Sequence, residues 1–119
     1  MRMPPEEFEA LVEKALEDLP EEFVELLDNV VVMVEDEPSD EDMEGMEPGE
    51  EAPLGIYYGT NLLERETQLF GNLPDRIVIF RGPILRICET RRDVIREVRD
   101  TVVHELGHFF GMEEDQMPY

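Results

Sequence analysis

The chain has 119 residues, of which 41% are hydrophobic, so residues 1–119 are read as a single domain with one core, and global disorder is excluded. Against 31 Asp and Glu stand 10 Lys and Arg, a formal charge of −21, which argues against nucleic acid and membrane surfaces as partners. No apolar run reaches the roughly 18 residues of a membrane span, and residues 1–7 lack a signal peptide's basic-then-apolar order, so a cytoplasmic protein is expected.

After Pro4 and Pro5, the residues Phe8, Leu11, Val12, Ala15, Leu16 and Leu19 repeat at the spacing of one helix face. Pro20 stops that helix and starts a shorter one through Phe23, Leu26 and Leu27, ending near Asp28 and Asn29. The run Val30, Val31, Val32, Met33, Val34 predicts a strand covered on both faces. Residues 35–53 carry ten acidic side chains, no basic ones and three prolines, the composition of a solvated connecting loop. Residues 54–58 and 77–80 read as two further short strands, and residues 61–70 as irregular chain or one short helix. The lone Cys88 cannot form an intramolecular disulfide and is read as a small buried hydrophobe.

From about Arg91 the periodicity is strongest. Ile95, Val98, Val102, Leu106 and Phe109 form a core-facing stripe, widened by Val103 and Phe110, on a helix that ends at Gly111. Both histidines of the chain, His104 and His108, lie on this helix, four residues apart. At about 100° per residue they point roughly 140° away from the middle of the stripe, one turn above the other, a spacing that lets two imidazoles grip one zinc ion. Glu105 stands beside them as a candidate general base. Gly107 marks a place where a backbone or a substrate approaches the helix closely. For a third ligand Gly111 allows a reversal, and Glu114 lies six residues after His108, with Asp115 and Glu113 as rivals at one residue's shift.

The segment from His104 to Glu114 resembles the HExxHxxGxx(D/E) signature of the minimal zincin-like metallopeptidases, small bacterial proteins long carried as a domain of unknown function. The likeness extends to Leu54-Gly55-Ile56-Tyr57, Leu73-Pro74-Asp75-Arg76-Ile77, Phe80-Arg81-Gly82-Pro83-Ile84 and Thr101-Val102-Val103. It implies an α+β zincin-like fold: N-terminal helices, a small three-stranded mixed sheet, and a long C-terminal helix carrying the metal. The family's third ligand is usually Asp, and Glu114 departs from it by one methylene. Metzincin peptidases share the frame but use a third His followed by a methionine turn. With Tyr119 as the last residue, neither that turn nor a C-terminal subdomain is expected.

The resulting expectation is a zinc-dependent peptidase. His104, His108 and Glu114 hold Zn²⁺, Glu105 is the base, and a flexible peptide or unfolded chain pairs with the edge strand at residues 56–58. Tyr57, Tyr58 and Tyr119 are candidate oxyanion donors. The alternative is a metal-binding interaction or regulatory protein with little proteolytic activity, because the cleft lacks a lower wall.

Overall fold

The computed structural model describes residues 1–44, 51–59 and 74–118. Helix α1 (Pro5–Glu17) opens with Pro at its first position, where a missing N–H costs nothing, and with Glu6 and Glu7 at the positive end of its dipole. It buries Phe8, Val12 and Ala15. Helix α2 (Glu21–Leu26) contributes Phe23, and a 3₁₀ turn (Leu27–Asn29) leads into β1 (Val30–Glu35). Strands β2 (Gly55–Tyr58) and β3 (Asp75–Phe80) follow, then α3 (Arg81–Ile87) and the long α4 (Arg91–Phe109). The strand order is β1-β3-β2, with β1 parallel and β2 antiparallel to β3. The architecture is thus α+β with a mixed three-stranded sheet, as anticipated. The segment 61–70 lies outside the described residues.

The sheet's central strand is β3, in which five of six residues are buried. Register divides its faces. Ile77 and Ile79 look toward the helices, sharing that face with Val32 and Val34 of β1 and with Tyr57 and Gly55 of β2. They join Val94, Val98, Val102, Val103 and Leu106 of α4 and the buried side of α1 in one core.

One expectation changes. Strand β1 is not covered on both faces: it is an edge strand, and Val31 and Met33 are 44% and 42% exposed on the face away from the helices. A β-branched run fixes strand character but not the strand's place in the sheet. The Gly82-Pro83 pair lies in the first turn of α3, where proline loses no hydrogen bond. The loop after β1 is fastened: Asp36 pairs with Arg81 at 2.9 Å, Glu37 with Arg86 at 2.7 Å, and Tyr58 donates its hydroxyl to Asp42. Cys88 is buried as expected, and burial pushes its thiol up to about 11.

Candidate metal centre

The site begins with the way α4 is held. Thr90 accepts from the Asp93 N–H while the Asp93 carboxylate accepts from the Thr90 N–H, a capping box that fixes the helix start. At the other end the Gly111 N–H reaches the His108 carbonyl (3.1 Å) and the Met112 N–H the Gly107 carbonyl (2.7 Å), with Gly111 at φ 78°. This is a Schellman closure, and it needs a residue that tolerates positive φ. Between these stops Val94, Val98, Val102 and Leu106 recur every fourth residue and, with Val103, anchor the helix to the core. Val94 extends the expected stripe. Phe109 and Phe110, by contrast, are 50% and 49% exposed, because the helix runs past the core there. Phe109 stacks on Tyr57 instead, its ring centroid 3.9 Å away.

Opposite the buried stripe, the His104 and His108 rings lie 5.9 Å apart at an interplanar angle of 82°. Zn–N bonds of about 2 Å set two imidazole centroids on a tetrahedral ion roughly 5 Å apart, close to the spacing of this pair. Borderline-soft nitrogen donors with an adjacent carboxylate suit zinc chemically. Among the described residues no three His, Cys, Asp or Glu gather around one point. Glu114 lies in the 3₁₀ turn Glu114–Gln116, and its side chain is outside the described residues. The rivals Glu113 and Asp115 are exposed on the same turn, where the Glu113 N–H donates to the Gln116 side chain at 2.7 Å.

Glu105 occupies a different environment from the histidines. Burial beneath β2 raises its carboxyl above the ordinary glutamate range, while His108, His104 and the Tyr57 N–H, which hydrogen-bonds the carboxylate, oppose that rise. The sheet register explains why this N–H is available. Phe80 donates to the Leu54 carbonyl at 3.0 Å, so in the antiparallel β2/β3 pair the alternating residues Gly55 and Tyr57 direct their backbone groups outward from β3. Strand β2 also presses on the helix at Gly55. A Cβ there would stand 2.7 Å from Thr101 Cγ2 and 3.0 Å from the Val78 carbonyl oxygen. The result is an open groove of about 340 Å³ lined by Leu54, Gly55, Glu97, Thr101, His104 and Glu105, among others.

The tyrosines of β2 are occupied. Tyr57 donates its hydroxyl to the buried Asp75 at 2.7 Å. The Tyr58 hydroxyl meets Asp42, and burial followed by that carboxylate pushes it up to about 12. Neither hydroxyl is directed at the histidines in this arrangement, and Tyr119 lies outside the described residues. Sequence reasoning missed Met117. The reversal at Gly111 brings it back against α4, where a Cβ on Gly107 would lie 2.5 Å from Met117 Cε. A methionine thus lies beneath the histidine-bearing turn although no methionine turn was expected. The glycine between the two histidines was the signal for that approach.

The sequence profile of the zincin-like metallopeptidases matches residues 27–119. The chain belongs to this family. Among solved structures, this zincin-like chain is similar to one described as a conserved hypothetical protein from "Thermo thermophilus", with 30% identity, a TM-score of 0.57, and coverage of 90% of this chain and 94% of that one. No curated protein matches it.

Proposed function

We propose that this zincin-like protein is a zinc-dependent peptidase acting on flexible peptides. The observation that carries the reading is the joint opening of His104 and Glu105 into the groove beneath the edge of β2, with His108 one turn further along α4. His104 and His108 would hold the ion, with Glu114 as third ligand by spacing. A bound zinc ion would polarise the scissile carbonyl and acidify a water. Glu105 would take a proton from a water adding to the carbonyl carbon and return it to the amide nitrogen as the C–N bond breaks. Burial suits this base to the task, since a raised carboxyl can hold the proton between the two steps. The outward backbone groups of Gly55 give an extended peptide a first pairing point. Pairing with Tyr57 as well requires Glu105 to leave its N–H and turn to the water.

The test is elemental analysis and peptide cleavage with parent, His104→Ala, His108→Ala and Glu105→Gln proteins. One zinc per chain is expected in the parent and in Glu105→Gln. The histidine variants should lose affinity at least about 100-fold, and chelator-sensitive cleavage should be absent from Glu105→Gln. A parent that takes up no zinc sinks the proposal. A parent that holds zinc but cleaves nothing across a broad peptide library leaves the metal-binding interaction protein as the reading.

A further inference from the structure

A concavity larger than the groove at the histidines lies elsewhere in the molecule. It is a groove of about 640 Å³ between α1 and β1, floored by apolar side chains that include Val12, Leu16, Leu27 and Val32 and bordered by Glu9 and Glu13. It exists because α1 packs along α4 and leaves the β1 end of the sheet incompletely covered, so that Val30, Val32 and Val34 remain only partly buried. Strand β1 is at the same time an edge. Its ladder to β3 uses one side, and among the described residues no hydrogen bond reaches the other.

Natural edges are blunted by charge, proline, bulges or a cover. The first five residues of β1 are Val, Val, Val, Met and Val, and it carries no charge before Glu35. Val31 and Met33 are exposed on the far face as well. A strand laid along this edge would complete the open ladder and send alternate side chains under α1. There, exposed Glu9 and Glu13, one helical turn apart, wait without a basic partner among the ion pairs of the described residues. A second copy of this chain is a poor occupant, since it would bring Glu35, Asp36 and Glu37 and another charge of −21 to the same place. We propose that the β1 edge and its groove bind an extended segment of another protein, apolar at alternate positions and basic at those facing α1. This surface is separate from the histidines of α4 and does not depend on the peptidase reading.

Amide hydrogen exchange of the full chain decides it, with a capped nine-residue peptide alternating Val and Lys as probe. The probe should slow exchange of alternate amides in residues 30–35 at least tenfold. A Val/Glu peptide should not, and neither should the Val/Lys peptide interrupted by two prolines. Glu9→Lys combined with Glu13→Lys changes only exposed positions and should weaken binding about tenfold at low salt. Glu105→Gln should bind as the parent does. Unchanged exchange overturns the proposal, as does equal binding of the proline-bearing peptide, which would mean electrostatic adhesion alone. Protection of the same amides in a concentration-dependent dimer without peptide would also overturn it, by giving the edge to a second copy.

Discussion

The two edges of one small sheet have opposite characters. Strand β2 is short, pressed on α4 through Gly55 and Thr101, and fastened at both tyrosine hydroxyls. The Glu105 carboxylate meets its Tyr57 N–H. Strand β1 is longer and more apolar, stands apart from α1 and leaves its outer ladder open. An edge held from beneath by a helix can place chemistry to within a fraction of an ångström. An edge over a gap can only offer adhesion. The difference comes from α4: its polar face rises under β2, whereas its apolar face is already taken up by α1.

The sharpest way to break this contrast is Gly55→Val. Branched carbons would enter the space of Thr101 Cγ2 and the Val78 carbonyl oxygen, and overpacking of this kind costs about 2–3 kcal/mol. Chemical denaturation should show that loss, and the cleavage proposed for this groove should fall with it because the groove wall moves. Stability within about 0.5 kcal/mol of the parent, the range of an ordinary surface change, would mean that β2 is not seated on the helix as described. The corresponding change at the other edge is Val31→Thr with Met33→Thr, whose side chains face solvent. Stability should stay within about 0.5 kcal/mol, because surface substitutions release no packing. Aggregation on heating should decline as the edge becomes less apolar. A loss above about 2 kcal/mol, the scale of a core truncation, would show that something covers that face.

Much of this was legible because it is local. Apolar period with proline and glycine punctuation marked α1, α2 and α4, and the four-residue histidine spacing needs no tertiary information. The glycine that ends α4 was readable for the same reason, since only the backbone of residues 107–112 is involved. What escaped depends on neighbours far along the chain. Five β-branched or apolar residues mark β1 as a strand, but only pairing shows that β3, and not β1, is central. Phe109 fits the stripe by angle and leaves it because the core ends before the helix does. The candidate third ligand Glu114 follows Gly111 in a turn whose path is tied to the return of Met117 to Gly107, which no spacing rule contains.

A smaller effect tests the link from β2 to the core. Tyr57→Phe removes a donor to Asp75, a residue 9% exposed, and should cost about 1–2 kcal/mol in denaturant. Tyr57→Leu, which also removes the stacking on Phe109, should cost more than Tyr57→Phe by about 1 kcal/mol. Equal losses would assign the whole effect to the hydroxyl and leave the aromatic pair without energetic weight.

The smallest expected effect lies at the last residue of β2. Tyr58 is sandwiched between Asp42, which receives its hydroxyl, and Arg76, whose guanidinium lies 4.6 Å from the ring centroid. Burial is the main cause that pushes Tyr58 from 10.0 up to about 12, with Asp42 second and Arg76 opposing both. The sign follows from linkage. A tyrosine whose folded value is raised contributes stability that is fully present below pH 10 and is lost as pH rises through about 12. Asp42 is lowered, chiefly by the Tyr58 hydroxyl, so its contribution is present above 3.8 and is lost as pH falls. Ultraviolet titration should therefore show Tyr58 ionising near 12 in the folded parent. In Asp42→Asn that transition should move down yet stay above 10.0, because the larger cause, burial, is untouched. A full return to 10.0 would make the carboxylate the dominant cause. It would also mean that the end of β2 is held by the acidic loop alone and not by its own burial.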